Sequence, residues 1–457
     1  MIIVHDLAQF IDQAAFEKLS DEAVTQLKIR LLDSLGTAIG AIEGEPVQAI
    51  RRMIKDLGGT PQATLIGGEK TSLERAAFYN SALVRYLDFN DSYLAKDETC
   101  HPSDNIGSIL AAGEYADING KEFLAALAVA YQVQCRLSDE APVRDKGFDH
   151  TTQGSYSIAA GVSKALGLNK EQTANALSIA GTALNALRVT RTGELSNWKG
   201  LAFPHTAFGG THAALLAKYG ITGPPAVFEG NKGFMEAIAG DFEIDWKNED
   251  LEKVTQTIIK RYNAEIHSQT SIEAMMDLRE EYEFTASEVR QIDIEIFDVA
   301  YNIIGGGEEG DKTIVRRKEE ADHSLQYMVS AALLDGQVMP EQYEQERIER
   351  EDIQSLLQKV KVTQAKEFSD RFPDQMAVRL TVHLNDGSEY SIQKSDYEGF
   401  TTRPMSWETV SAKFNLLAGA YMVRDDRERL IKTVFDLENH TVSDLMKRLT
   451  VMEKIAK

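Results

Sequence analysis

Hydrophobic positions recur at helical spacing through the first part of the chain. Residues 22–42 place Val24, Leu27, Leu31 and Leu35 on one face, and Ser20-Asp21-Glu22 supplies a cap and an acidic first turn. Gly167 ends one helix, and Leu168-Asn169-Lys170-Glu171-Gln172 starts the next with an N-cap and a capping-box Gln. Residues 109–116, 123–133, 157–166 and 174–187 are rich in Ala, Gly and Leu. Small residues let helices approach closely, so a compact all-α bundle, apolar on most sides, is expected. The period changes near residue 285. Ile292, Ile294 and Ile296 alternate with polar residues, residues 359–363 form a second candidate strand, and Val378, Leu380, Val382 and Leu384 alternate again. Asn385-Asp386-Gly387 before residues 390–392 is a hairpin signal. Residues 321–334 between the strands read as helix. Helical spacing returns after Pro404, in residues 408–418, 426–435 and 442–454. The pattern predicts a mainly α protein: a large helical domain from residues 1–280 plus 396–457, with a smaller α+β domain of residues 281–395 inserted.

Composition narrows the function. The chain has 457 residues, 43% of them hydrophobic and 26% charged, as in an ordinary globular protein. Its net charge of −22 repels nucleic acid and anionic lipid. An anion site must therefore be an enclosed local cluster of Lys, Arg and His. No apolar run reaches the roughly 20 residues that span a bilayer; residues 123–133, the best candidate, fit a buried helix. The first residues lack the basic region and cleavage site of a signal peptide, so a cytoplasmic location is expected. Two cysteines, Cys100 and Cys135, give no disulfide framework and cannot supply the three or four thiolates an iron–sulfur cluster normally takes.

Three segments concentrate chemistry. The first is Leu87-Asp88-Phe89-Asn90-Asp91-Ser92-Tyr93 with Cys100-His101-Pro102-Ser103-Asp104-Asn105; a capped loop between helices is its plainer explanation. The second, Arg188-Val189-Thr190-Arg191-Thr192-Gly193-Glu194-Leu195-Ser196-Asn197-Trp198-Lys199-Gly200, holds cations that can gather around carboxylates, with Trp198 suggesting a partly buried Lys199. A solvated loop is the plainer explanation there. The third is Lys260-Arg261-Tyr262-Asn263-Ala264-Glu265-Ile266-His267-Ser268-Gln269. His267 and His150 each also fit a satisfied core histidine, and His205 and His212 are read as structural. Tyr301-Asn302, Ala321-Asp322-His323-Ser324-Leu325 and Gly399-Phe400-Thr401-Thr402-Arg403-Pro404-Met405 fit caps or turns when read alone. Gly305-Gly306-Gly307 lacks a dinucleotide or P-loop context, and no HExxH or GxSxG is present. Neither cofactor nor metal is expected.

Taken together, these segments resemble the MmgE/PrpD family. Leu87-Asp88-Phe89-Asn90-Asp91 with His101-Pro102-Ser103-Asp104-Asn105 is the most distinctive match, followed by Ser196-Asn197-Trp198-Lys199-Gly200 with Gly220-Ile221-Thr222-Gly223-Pro224. Asn263-Ala264-Glu265-Ile266-His267-Ser268-Gln269 and Ala321-Asp322-His323-Ser324-Leu325 are similar to the branch that dehydrates 2-methylcitrate. The resemblance implies a helical domain built from both chain ends, an inserted lid, a homodimer and an active site between domain and lid. Carried over by motif, it implies catalytic roles for Asp91, His101, His150, Lys199, His267 and Tyr301, with Lys260 also in the site. Ser92 stands where related sequences often carry Thr. Arg188, Lys260, Ser92, His323 and Arg403 are the expected substrate contacts. The expected function is metal-independent dehydration of a small tricarboxylate, 2-methylcitrate or citrate. Decarboxylation of cis-aconitate is the nearest alternative, and epimerisation of an amino-diacid or a non-catalytic helical scaffold are more distant ones.

Overall fold

The computed structural model describes residues 2–193, 195–450 and 452. The fold is mainly α, and the chain divides into two compact units: residues 1–191, 197–257 and 406–457 form one, residues 192–196 and 258–405 the other. The periodicity had put the boundaries near 280 and 395. They differ because the helix Gln269–Tyr282 packs with the strands of the second unit rather than with the first bundle.

The first unit opens with helices α1 (Ile3–Gln13), α2 (Asp21–Gly40), α3 (Glu45–Leu57) and α4 (Leu73–Tyr86). It continues through α5 (Ile106–Ala116), α6 (Gly120–Glu140), α7 (Thr151–Ala165), α8 (Lys170–Ala183) and α9 (Trp198–Lys218). The caps read from sequence form: Ser20 Oγ accepts from Ala23 N–H at 3.0 Å, and Asn169 and Gln172 close a reciprocal capping box. The helices pack closely because small residues line their seams. A Cβ on Gly107 of α5 would collide with the backbone of Ser81 in α4, so only glycine permits that approach. α8 ends at Ala183, short of the expected residue 187. Past Leu184 the backbone finds partners in the loop before α7: Asp149 N–H donates to Ala186 O at 2.9 Å and Arg188 N–H to Gly147 O at 2.9 Å. That exchange brings Arg188 to the loop carrying Asp149 and His150.

In the second unit, α10 (Gln269–Tyr282), α11 (Leu325–Asp335) and α12 (Glu351–Leu357) accompany a four-stranded sheet. Its strands are β1 (Val289–Ile296), β2 (Val360–Gln364), β3 (Val378–Leu384) and β4 (Glu389–Lys394), in the order β2-β1-β3-β4. β1 and β2 run parallel, with Ile292 opposite Val360, and the other pairs are antiparallel. Ile292, Ile294 and Ile296 are buried with Val378, Leu380 and Val382 on one face, as the period-two pattern requires. The β3–β4 turn uses Gly387 at φ 94°. Residues 321–334 are not one helix. A short turn, Lys318–Ala321, stops, and Ser324 caps α11 by accepting from Tyr327 N–H at 3.1 Å. The break leaves Asp322 and His323 in a loop.

The chain then returns to the first unit with α13 (Trp407–Ala418), α14 (Arg424–Phe435) and α15 (Val442–Arg448). The expected helix over residues 442–454 ends at Arg448; residues 451, 453 and 454 lie outside the described residues, as does Glu194. Among the described residues, no helix is long and apolar enough to cross a membrane.

Candidate active site

In the first unit the site grows from the end of α4. Asp88 adopts φ 54°, a left-handed conformation uncommon for a non-glycine residue, and turns the chain sharply after the helix. Lys413 of α13 holds this turn from below. Its Nζ donates to Phe89 O at 2.9 Å, lies 3.7 Å from the Phe89 ring centre, and pairs with buried Asp33 at 2.7 Å. The following residues interlock with the turn Pro102–Asn105. Asn90 Nδ2 donates to Ser103 Oγ and to Asp104 Oδ1, each at 2.8 Å. Asp91 is fully buried. Its Oδ1 accepts from Ser103 N–H at 3.0 Å and from Ser103 Oγ–H at 2.5 Å, and its Oδ2 accepts from Tyr131 O–H at 2.7 Å. Burial raises the Asp91 pKa, against the hydrogen bonds from Ser103 and Tyr131. Its carboxylate thus braces the loop.

His101 is fixed by the same loop. Its Nδ1 lies 2.8 Å from Asp91 O and 3.0 Å from Ser92 Oγ. A carbonyl can only accept, so Nδ1 carries the proton and the neutral ring keeps its lone pair on Nε2. The His150 ring stands edge-on to it, centres 5.4 Å apart. Arg191 spans His150 and its neighbour: Nη2 lies 3.0 Å from His150 Nε2, and Nε 2.5 Å from Asp149 Oδ2. A guanidinium can only donate, so the proton of neutral His150 sits on Nδ1, a buried N–H with no hydrogen-bond partner. Burial, with Arg191, Arg85 and Arg188 adding to it against Asp149, lowers the His150 pKa to about 3. Asp149 stays ionised: burial opposes its charge, but Arg191, His150 and Arg188 outweigh it and hold the pKa below the usual range.

Two guanidiniums therefore face one carboxylate here, with Arg188 Nη1 3.9 Å from Asp149 Oδ2. Lys199, in the first turn of α9, is 6% exposed, and its Nζ lies 3.7 Å from Asp88 Oδ2. Lys199 is buried, as expected from the sequence, while Trp198 beside it is 45% exposed. Asp88 also pairs with Arg85, whose Nε lies 3.6 Å from Asp104 Oδ2. Burial, opposed by Arg85 and Asn90, raises the Asp104 pKa to about 7.

The second unit carries another group of imidazoles and cations. His267 follows the turn at Glu265, whose carboxylate accepts from His267 N–H at 2.8 Å and faces His267 Nδ1 at 2.7 Å. His267 Nε2 is buried with no hydrogen-bond partner, and Phe297 and Phe372 flank the ring, each with its centre 5.7 Å away. Burial opposes ionisation of Glu265, yet His267, His323 and Lys260 bring its pKa to about 2. His323 Nδ1 lies 2.6 Å from Asp322 Oδ1, and Lys318 pairs with the other oxygen at 2.8 Å. Lys260 is fully buried, and Lys312 stands beside Glu265 and Asp322 with its pKa lowered by burial. Tyr301 begins the turn Tyr301–Gly305; a Cβ on Gly305 would crowd Val362 and the Tyr301 ring, and one on Gly307 would collide with Asn302. Arg403 is exposed and forked between Glu273 and Asp396. Neither unit by itself, among the described residues, gathers three His, Cys, Asp or Glu ligand atoms close enough to chelate one ion.

Sequence reading named the histidines and gave no role to the groups that hold them. Arg191, Asp149, Glu265, Asp322 and Lys413 fix the rings and the loop. Three have a local signal, a carboxylate one or two positions before a histidine: Asp149-His150, Glu265-Ile266-His267 and Asp322-His323. Lys413, far away in sequence, has none.

Two family models match the chain, the MmgE/PrpD N-terminal domain over residues 5–247 and the MmgE/PrpD C-terminal domain over residues 262–439. Among similar proteins, 2-methylcitrate dehydratase of Salmonella typhi is 29% identical over 79% of this chain and 78% of its own length. The mitochondrial 2-methylcitrate dehydratase of Yarrowia lipolytica is 28% identical over 84% of this chain and 77% of its own. Cis-aconitate decarboxylase of Mus musculus is 27% identical over 98% of this chain and 93% of its own. The chain belongs to the MmgE/PrpD family.

Proposed function

We propose that the protein is a lyase that dehydrates a small tricarboxylate, 2-methylcitrate or citrate, using side chains alone. One observation carries the reading. Two imidazoles, each with its proton position set by a fixed partner, stand 5.4 Å apart beside Arg188 and Arg191, in a chain of net charge −22.

Dehydration removes a proton from the carbon beside a carboxylate. The C–H electron pair becomes the double bond, and the neighbouring C–O bond breaks as hydroxide takes up a proton and leaves as water. The carbon acid is weak, so cations must stabilise charge building on the carboxylate. Arg188, Arg191 and Lys199 supply that stabilisation, with Ser92 beside the base. His101 Nε2 takes the proton, because its Nδ1–H is committed to Asp91 O. Asp91 acts as a positioning residue. The imidazolium formed on His101 returns that proton to the departing hydroxide, and the neutral His150 Nδ1–H donates a hydrogen bond to a substrate carboxylate. The family resemblance assigns Lys260, His267, His323 and Tyr301 to the same reaction.

Decarboxylation of cis-aconitate is the second reading. It is favoured by the match to the mouse enzyme over 98% of this chain. The test is to incubate the protein with 2-methylcitrate, citrate and cis-aconitate separately, following enoate absorbance and carbon dioxide release. Enoate formed from either hydroxy acid supports dehydration. Carbon dioxide from cis-aconitate, with no enoate from the others, replaces it with the second reading.

A further inference from the structure

Around His101 and His150 the charges of the first unit balance. Arg85, Arg188, Arg191 and Lys199 stand with Asp88, Asp104 and Asp149, and Asp91 braces the loop. Beside them Lys413 holds Asp33, Arg30 adds a buried cation and Glu98 a buried carboxyl. Cations and carboxyls are equal in number among these residues, so the group carries no net charge when all are ionised. An uncharged group inside a molecule of −22 has nothing to draw in an acid with three carboxylates. A proton held by one of its carboxyls would leave the group positive.

Asp104 is the carboxyl placed to hold that proton. Both oxygens of Asp91 accept from Ser103 or Tyr131, Asp88 is shared by Arg85 and Lys199, and Asp149 accepts from Arg191. Glu98 Oε2 accepts from the N–H groups of Val143 and Arg144, each at 3.0 Å. Asp104 Oδ1 accepts from Asn90 Nδ2, but its Oδ2 is buried with no hydrogen-bond partner, 3.6 Å from Arg85 Nε, which also lacks one. Asn90 cannot be turned round. Ser103 Oγ–H is committed to Asp91, so towards Asn90 it only accepts, and Asn90 Nδ2 donates both its protons. Oδ2 is therefore where a proton fits. We infer that Asp104 takes up a proton as the tricarboxylate binds, so that the charge of Arg85 and Arg191 is left for the ligand. Asp104 acts through those guanidiniums as a positioning residue. The inference rests on the tricarboxylate reading and is the same for dehydration and decarboxylation.

Charged and titratable groups reach the turn Pro102–Asn105 from several elements. α4 brings Arg85 and Asp88, α2 Arg30 and Asp33, α6 Tyr131, and α9 Lys199; Asp149 and His150 precede α7. α5 carries Glu114, which is turned to Thr64. Burial, with Asp91 adding to it against Arg85, Asn90 and Arg191, lifts the Asp104 carboxyl to about 7. His150, at about 3, stays neutral over the same range.

Calorimetric titration with propane-1,2,3-tricarboxylate, which has no hydroxyl to lose, tests this at pH 6 and pH 8 in buffers of different ionisation heat. The comparison is with Asp104→Asn, whose amide keeps an acceptor for Asn90 and carries no charge. At pH 8 the wild type should take up close to one proton more per bound acid than the variant. The variant should bind roughly 10-fold more tightly than the wild type at pH 8, and about equally at pH 6. Protons exchanged by the acid itself are common to both proteins and cancel. Equal uptake by the two proteins overturns the inference, and so does a variant that binds no more tightly at pH 8. A wild type that binds neither this acid nor 2-methylcitrate overturns the tricarboxylate reading and this inference with it. Circular dichroism melting checks folding. Should the variant not fold, the wild type decides alone: its affinity should fall roughly 10-fold from pH 6 to pH 8, and a constant affinity overturns the inference.

Discussion

His150 offers the sharpest quantitative test. Its pKa is about 3 in the folded protein, against roughly 6.5 for an unperturbed imidazole. Between those values the unfolded chain binds a proton that the folded chain refuses, so stability is present above about pH 6.5 and is lost as pH falls towards 3. At about 1.36 kcal/mol per pH unit, this one side chain removes roughly 2 kcal/mol between pH 7 and pH 5. Asp104 works in the opposite sense. Raised to about 7, it makes stability fall as pH rises from about 4 to 7, and it is common to wild type and variant. The perturbation is His150→Gln, which keeps an acceptor for Arg191 and removes the titration. Urea unfolding at both pH values should show the wild type losing roughly 2 kcal/mol more than the variant, and the ring's NMR shift should stay constant down to pH 5. Equal losses, or a His150 signal titrating near 6.5, would refute the claim that Arg191 and burial keep this ring neutral.

Other outcomes follow from the same geometry. His101→Ala should lower turnover by roughly 100- to 10,000-fold with the melting curve unchanged; full activity would remove His101 from the mechanism. Lys413→Met should destabilise the protein by roughly 3–5 kcal/mol because it strands the Asp33 carboxylate, and Asp33→Leu added to it should recover most of the loss in urea unfolding. A double variant as unstable as the single one would contradict that pairing. Glu265→Gln should cut kcat by up to about 10,000-fold if Glu265 fixes the His267 tautomer; a change confined to stability would make the pair structural.

Much of the fold was legible because burial imposes periodicity. The Ser20 cap, the Asn169–Gln172 box and the alternation in β1 and β3 are local patterns, and each formed where it was read. What failed depended on distant partners. α8 stops early because the backbone after Leu184 pairs with residues 147–149, and the helix expected over residues 321–334 breaks because Ser324 caps a new one. α10 is helical like the first unit and packs with the second, which periodicity alone does not reveal. The candidate site was legible as residue types, with histidines and cations in unusual company. Their arrangement was not: nothing in the sequence says that Asp91 is saturated by Ser103 and Tyr131, or that Lys413 holds up the Phe89 turn from the other end of the chain.

The central claim is that imidazoles and cations activate the tricarboxylate without help. Protein stripped with a strong chelator and mixed with 2-methylcitrate in a stopped-flow spectrophotometer tests it directly. The account predicts a rise in enoate absorbance at the same rate before and after iron is added back. A trace that stays flat until iron returns would contradict it.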